Sequence, residues 1–167
     1  MKVGLIYFSQ TGNTRQVAEA ICKGIRETGV QCAEFRFEDV SKDILQTFDL
    51  IGIGCPVFYY KEPLHVRSWL QSLPDLEGQH WFVFCTHGNI IGNTLPSMAE
   101  LISNKKGIVI GFFHSFAPEY FDRCRQELEK EAEKGEVRWL VDPDDVDPGE
   151  AFILKRAREM SSGNEII

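Results

Sequence analysis

Short apolar runs of strand length alternate with segments of helical periodicity along the first two thirds of the chain. Strands are predicted at residues 3–8, 30–37, 49–55, 81–86 and 107–113. Helical spacing of apolar residues occupies 15–25, 63–73 and 94–103, with a short helix at 41–45. Strands that alternate with helices predict a parallel sheet with right-handed crossovers and helices on both faces. The pattern therefore predicts an α/β fold, a doubly wound five-stranded parallel sheet of order 2-1-3-4-5.

The last third of the chain contains two further predicted helices. Residues 118–134 have an amphipathic pattern, and their charged face is either solvated or forms a lid or docking surface. Asp147, Pro148 and Glu150 have the order of a helix start, so a final helix that covers the sheet is predicted over 148–161. We expect one domain over 1–167, with a helical insertion or extension at about 115–140.

Composition and charge narrow the class of protein. The 167 residues are 43% hydrophobic and 26% charged, which is ordinary for a globular protein that is not embedded in a membrane. A net charge of −7 argues against nucleic acid and favours a partner with a basic docking face. No run reaches membrane-spanning length, and residues 3–8 are too short for a signal peptide. We expect a cytoplasmic protein.

The five cysteines are odd in number and widely spaced. None form a Cys-x-x-Cys motif, so neither a zinc site nor an iron–sulfur cluster is predicted. We expect all five to be reduced, mostly in the core. The histidines other than His87 have no metal-ligand spacing, so His65, His80 and His114 are expected to be solvated or packed, and no metal site is predicted.

The loop after the first predicted strand has the composition of a phosphate site. Its hydroxyls, amides and glycine precede a helix, where unpaired N–H groups and the helix dipole favour an anion. It lacks the lysine of a Walker A motif and the glycines of a dinucleotide fingerprint, so a mononucleotide phosphate suits it best. The alternative is an ordinary capped turn. The loop consists of Ser9, Gln10, Thr11, Gly12, Asn13 and Thr14.

Two further loops are expected at the same sheet edge, because ligands bind beyond the carboxyl ends of strands where the strand order reverses. The first contains three consecutive aromatic residues, with Tyr59 the strongest candidate for contact with a planar ring, although some of them are expected to cover the core instead. The second offers groups that suit the edge of a pyrimidine-like ring, unless His87 is a surface-loop histidine without a role. These candidates are Pro56, Val57, Phe58, Tyr59 and Tyr60, then Thr86, His87, Gly88 and Asn89.

Three segments together resemble the flavodoxin-like FMN-binding family over about residues 1–115. They are Phe8-Ser-Gln-Thr-Gly-Asn-Thr14, Gly54-Cys-Pro-Val-Phe-Tyr59 and Thr86-His-Gly-Asn89. They are most similar to flavodoxin domains that in other proteins are joined to ferredoxin-like iron–sulfur domains. The resemblance implies FMN as cofactor, with its phosphate at residues 9–14, one side of its ring at 56–60 and its pyrimidine edge at 86–89.

The chain departs from the family pattern at two points. No glycine lies between Cys55 and Pro63, where many one-electron flavodoxins have a peptide that flips to accept the flavin N5–H. A flip that requires φ > 0 at non-glycine positions is costly, which weakens the case for a stable one-electron-reduced flavin. The third loop carries His87 in place of the usual acidic residues. A neutral His87 would donate to reduced flavin, and a cationic one would raise the flavin potential.

Three functions follow. The leading hypothesis is an FMN-binding electron-transfer protein that shuttles electrons between cytoplasmic redox partners, such as iron–sulfur proteins or a reductase. The first alternative is an FMN-dependent two-electron reductase of quinones or another small acceptor, which the missing glycine favours. The second is an interaction domain that binds no flavin. Whether the protein is an enzyme stays open, and no catalytic residue is assigned.

Overall fold

The computed structural model describes residues 1–119, in which every predicted strand and helix before residue 114 is present. Among these residues no helix is both long enough and apolar enough to cross a bilayer. The helices predicted over 118–134 and 148–161, and most of the extension at about 115–140, lie outside the described residues. The elements are β1 (Lys2–Tyr7), α1 (Asn13–Glu27), β2 (Gln31–Arg36), a 3-10 helix (Lys42–Thr47), β3 (Leu50–Pro56), α2 (Leu64–Gln71), β4 (His80–His87), α3 (Thr94–Ser103) and β5 (Ile108–Phe116).

The five strands form one parallel sheet of order β2-β1-β3-β4-β5, as the alternation of strands and helices predicts. In register, Tyr7 of β1 lies beside Gly54 of β3, and Pro56 of β3 lies beside Thr86 of β4. The carboxyl ends of β1, β3 and β4 therefore lie at the same edge of the sheet, where the strand order reverses.

The core lies on both faces of the sheet. On one face, Leu5, Tyr7 and Phe84 pack with Val17 and Ala18 of α1. The cluster of buried side chains on the opposite face is larger, because α2 and α3 both contribute to it. It contains, among others, Ile6, Ile51, Ile53, Val66, Leu70, Trp81, Val83, Met98 and Ile102. Helices on both faces agree with the predicted doubly wound arrangement.

Two glycines in β3 leave room for aromatic side chains of β4. A Cβ at Gly52 would collide with the ring of Phe82, and a Cβ at Gly54 would collide with the ring of Phe84. The pair Gly52 and Gly54 is thus a packing feature of a buried strand and not part of a nucleotide-binding turn. The ends of β3 and β4 lie side by side at the site because the two strands pair in register up to Pro56 and Thr86.

The cysteines differ from the prediction. Cys22 of α1 and Cys32 of β2 form a disulfide, with their Cα atoms 5.7 Å apart. The prediction that all five are reduced is therefore wrong for this pair, because the 3.6-residue periodicity of α1 and the pleat of β2 place two distant sequence positions side by side. Cys55 and Cys85 are free and buried, and Cys124 lies outside the described residues.

Candidate functional site

A cavity opens at the carboxyl ends of β1, β3 and β4, the place where a doubly wound sheet binds its ligand. Apart from Ala117, each residue that lines it is among the candidates predicted from the sequence. The lining consists of Gln10, Thr11, Asn13, Thr14, Pro56, Val57, Phe58, Thr86, His87, Gly88 and Ala117. The structure thus brings residues from all three predicted loops together. Ser9, Gly12, Tyr59, Tyr60 and Asn89 lie outside this lining.

The β1–α1 loop (residues 9–14) leads to a helix N-terminus that no side chain caps. Gly12 is the N-cap of α1 with φ = 95°, and the first turn contains no acidic residue. A Cβ at Gly12 would meet no atom within 4 Å, so the space beside the loop is open. The N–H of Gly12 donates to Ser9 Oγ over 3.1 Å, which shows why Ser9 lies within the loop and not on the cavity wall. This geometry suits an anion.

Asn13 connects the loop to the segment after β5. Its side-chain amide donates to Thr11 Oγ1 over 3.0 Å and to Glu119 Oε2 over 3.1 Å. In return, the N–H of Glu119 donates to Asn13 Oδ1 over 3.2 Å. Glu119 is thereby held near the start of α1, a contact between residues 106 positions apart that the sequence does not indicate.

A buried pair of hydroxyls joins the first loop to the third. Thr14 Oγ1 and Thr86 Oγ1 lie 2.8 Å apart, and both residues are almost completely inaccessible to solvent. One hydroxyl donates to the other, so a single hydrogen bond joins the two buried side chains. The start of α1 is therefore held at a defined position relative to the end of β4.

Residues 58–61 form a short β-hairpin with a two-residue turn, here called the aromatic hairpin. The backbones of Phe58 and Lys61 exchange hydrogen bonds of 2.8 and 3.1 Å. Tyr59 and Tyr60 at its tip have φ values of 49° and 66°, the left-handed region that type I′ turns require and that usually selects glycine or asparagine. Tyr59 is 96% exposed and Tyr60 59% exposed. Of the three aromatic residues, Phe58 and not Tyr59 lines the cavity.

The aromatic hairpin is fixed in place by its neighbours. The N–H of Val57 donates to the carbonyl of Thr86 over 2.9 Å, and the N–H of Asn93 donates to the carbonyl of Tyr60 over 2.8 Å. Gly92 packs directly under Tyr60, because a Cβ there would collide with the Tyr60 backbone. The hairpin therefore depends for its position on the third loop, which extends from Thr86 to Asn93.

Behind the hairpin lies a buried carboxylate that sequence analysis missed. The side chain of Glu62 is inaccessible to solvent; its Oε1 forms an ion pair with Arg67 at 2.7 Å and accepts a hydrogen bond from Ser97 Oγ over 2.9 Å. Its Oε2 has no hydrogen-bond partner in the described part of the chain. The three residues belong to the loop after β3, to α2 and to α3, and no local pattern brings them together.

His87 is a buried strand residue and not the surface-loop histidine of the alternative interpretation. It ends β4, is 6% exposed, and its Nε2 lies 3.1 Å from Nδ1 of His114 on β5. Burial, and then the neighbouring His114, lower the pKa of His87, while the Asn89 backbone opposes this shift. The lowered pKa favours the neutral imidazole. The prediction that β5 ends at 113 concealed this contact, because His114 follows the last apolar residue of the pattern.

The free thiols near the site are chemically inert. Burial raises the pKa of Cys85 to about 12 and raises that of Cys55 well above its ordinary value. Neither thiol forms a thiolate near neutral pH, so neither is a nucleophile. Within residues 1–119, no group of three or more His, Cys, Asp or Glu side chains is placed to hold a metal ion.

Comparison with known proteins identifies the family. Residues 4–132 match the family model described as the flavodoxin domain. The chain belongs to the flavodoxin domain family. The flavodoxin of Clostridium saccharobutylicum is 26% identical over 115 residues, which cover 66% of this chain and 72% of that protein. The flavodoxin of Megasphaera elsdenii is 29% identical over 112 residues, which cover 65% of this chain and 82% of that protein.

A solved flavodoxin confirms the fold. The solution structure of two-electron reduced Megasphaera elsdenii flavodoxin matches with a TM-score of 0.64 at 27% identity, covering 70% of this chain and 88% of that one. Flavodoxins are FMN-binding electron-transfer proteins, and membership of the family confirms FMN as the predicted cofactor.

The residues at the sheet edge fit FMN. The uncapped start of α1, with open space beside Gly12, suits a terminal phosphate. The Nδ1 atom of His87 is buried without a hydrogen-bond partner in the described part of the chain, on a residue that lines the cavity. Such an atom is a suitable neighbour for a polar ring edge. When bound, FMN supplies the capacity to accept and release electrons.

Proposed function

We propose that this protein is an FMN-dependent electron carrier that passes electrons between redox partner proteins. The observation that supports it best is the cavity at the reversal of the strand order, which all three predicted loops line in a chain of the flavodoxin domain family. The protein contributes position and electrostatics, and the flavin contributes the redox chemistry.

Each loop has a separate part in the proposal. Residues 9–14 hold the phosphate of FMN through backbone N–H groups and hydroxyls at the start of α1. Residues 56–60 cover one side of the ring, with Phe58 as the aromatic residue that lines the cavity. Residues 86–89 bind the pyrimidine edge, and the contact between Thr14 and Thr86 sets the distance between the phosphate and ring positions.

The substitution Thr11→Asp tests the phosphate assignment. A carboxylate beside the phosphate repels it, so we expect the Kd for FMN, measured by quenching of flavin fluorescence, to rise at least about 100-fold. Thr11→Ser keeps the hydroxyl and is expected to bind FMN normally. Thr47→Asp adds the same charge on the 3-10 helix and controls for net charge. An unchanged Kd in Thr11→Asp would remove the assignment of residues 9–14 to the phosphate.

The two-electron reductase is the second candidate, and the absence of glycine from the hairpin was its main support. The structure weakens that argument, because Tyr59 and Tyr60 already have φ > 0 without glycine. Stepwise anaerobic reduction of the FMN-loaded protein separates the two candidates. Two resolved one-electron steps support the carrier, and a single two-electron step supports the reductase. Failure of the wild-type protein to bind FMN would favour the interaction domain instead.

The partners of this carrier are redox proteins, among which an iron–sulfur protein or a reductase suits the proposal best. The net charge of −7 favours a partner with a basic docking face. Electron transfer to such a partner is then expected to slow as ionic strength rises, because salt screens the attraction that brings the two proteins together. Cytoplasmic localisation is part of the same proposal and is checked by cell fractionation.

A further inference from the structure

Two histidines form a pair at the edge of the cavity. His87 Nε2 and His114 Nδ1 lie 3.1 Å apart, at the carboxyl end of β4 and near that of β5. His87 lines the cavity and is buried, whereas His114 is exposed. The ring of Phe116 lies 4.6 Å from the ring of His87 and contributes to its burial. The pair therefore has one member at the ligand position and one in contact with solvent.

This geometry allows the pair to hold one proton but opposes a second. One extra proton turns one ring into an imidazolium whose N–H donates a charge-assisted hydrogen bond to the neutral ring, whereas two imidazolium ions at this distance repel each other. The buried position of His87 disfavours the charged form until a negative charge in the cavity compensates for it.

Among the described residues that line the cavity, His87 is the titratable one, and His114 lies behind it. The first loop contributes Gln10, Thr11, Asn13 and Thr14, and the loop after β3 contributes Pro56, Val57 and Phe58, all of them uncharged. From β4 and the segment that follows, the lining contains Thr86, His87 and Gly88, and from the segment after β5 it contains Ala117. The carboxylates of Glu119 and Glu62 lie near this edge but outside the lining; Glu119 accepts a hydrogen bond from Asn13, and buried Glu62 pairs with Arg67.

We propose that the His87–His114 pair is a proton-holding site that takes up one proton when the bound flavin gains negative charge, so that the reduction potential depends on pH through this pair. The inference rests on the proposed function, because it requires FMN in the cavity. The electron comes from the donor protein and the proton comes from solvent through exposed His114. The proton adds to a free imidazole nitrogen, and no other bond forms or breaks.

The sign of the effect follows from linkage. Negative charge on the flavin raises the proton affinity of the pair. The pair therefore keeps its proton up to a higher pH in the reduced protein than in the oxidised protein. Between the pKa of the pair in the oxidised protein and its pKa in the reduced protein, the first electron that leaves negative charge on the flavin brings one proton to the pair, and the pair takes up no second proton. A tenfold fall in proton concentration then weakens reduction tenfold, which corresponds to a potential lower by about 59 mV per pH unit for one electron.

The experiment measures histidine titration and reduction potential separately. In the wild-type protein, NMR of the imidazole rings between pH 5 and 8 is expected to show a higher apparent pKa for the pair in the reduced than in the oxidised state. In the double variant His87→Gln/His114→Gln, the potential is expected to depend less steeply on pH than in wild type. His80→Gln, an exposed histidine at the opposite end of β4, is the matched control and is expected to keep the wild-type slope.

The possible failures are distinguishable. Imidazole titration that does not change with redox state overturns the proposal, even if the double variant fails to fold. Equal slopes in wild type and a folded double variant overturn it as well, while leaving FMN binding and electron transfer intact. Absence of FMN binding by the wild-type protein overturns the proposed function together with this inference.

Discussion

The β1–α1 loop and the aromatic hairpin lie at the same edge of the sheet but obtain their shapes in different ways. The first takes its left-handed backbone at Gly12, where φ is 95° and no atom restricts a side chain. The second takes its left-handed backbone at Tyr59 and Tyr60, where a side chain makes that conformation unfavourable. The conformation of the first loop is thus local, and that of the hairpin is imposed by its surroundings.

Three contacts impose the hairpin conformation. Glu62 anchors its end to Arg67 and Ser97, and Asn93 binds the carbonyl of Tyr60. Strained backbone persists only where the surrounding structure compensates for it, and such places are often functional sites. A short segment is therefore enough to shape the β1–α1 loop, whereas the aromatic hairpin requires support from several elements.

Removal of the ion pair between Glu62 and Arg67, which anchors the hairpin, is expected to lower stability more than the other changes below. Arg67→Met leaves the Glu62 carboxylate buried with only Ser97 as a partner, so we expect the free energy of unfolding to fall by about 2–3 kcal/mol. This is less than for a fully buried pair, because Arg67 is one third exposed. Urea denaturation of the FMN-free protein measures it.

The matched control for the anchor is Arg15→Met. Arg15 pairs with Glu19 on the exposed surface of α1, so the loss is expected to be below about 0.5 kcal/mol. Similar losses in the two variants would show that Glu62 does not depend on Arg67. The hairpin would then owe its position to the third loop alone.

The sequence predicts the features that depend on local contacts and does not predict those that depend on contacts between distant segments. The observed helix Thr94–Ser103 has the predicted bounds, and the five strands appear in the predicted order, because apolar periodicity is a local property of the chain. The loop 9–14 is equally evident, since its glycine and hydroxyls adjoin a strand and a helix.

The features that sequence analysis missed all depend on contacts between distant segments. Glu62 meets Ser97 across 35 positions and His87 meets His114 across 27 positions. Positive φ at Tyr59 contradicts residue preference, so tertiary contacts outweigh local propensity there. No periodicity encodes such contacts, and a single sequence contains no other record of them.

A smaller effect is expected from two glycine substitutions that compare the loops directly. Gly92→Ala places a methyl group against the backbone of Tyr60 at a positive φ of 55°, so we expect a loss of about 2 kcal/mol and displacement of the hairpin. Gly12→Ala carries only the conformational cost, about 1 kcal/mol, because its surroundings are open. Thermal and urea unfolding of both variants without FMN measures the difference. Equal losses would mean that the hairpin moves aside freely and is not held by the third loop.

The smallest effect concerns the strain at the hairpin tip. Tyr59→Gly relieves the unfavourable left-handed conformation of a tyrosine, which stabilises the folded state by about 1–2 kcal/mol. It also gives the unfolded chain more conformational entropy, which destabilises the folded state by about 0.5–1 kcal/mol. Because Tyr59 is almost fully exposed, little burial is lost, and we expect a net stabilisation of up to about 1 kcal/mol. Lys61→Gly is the control, since Lys61 lies in the same hairpin but does not have positive φ. It adds the entropy without relieving strain and is expected to destabilise. If both variants lose stability equally, Tyr59 is not strained, and the contrast between the hairpin and the glycine-based loop disappears.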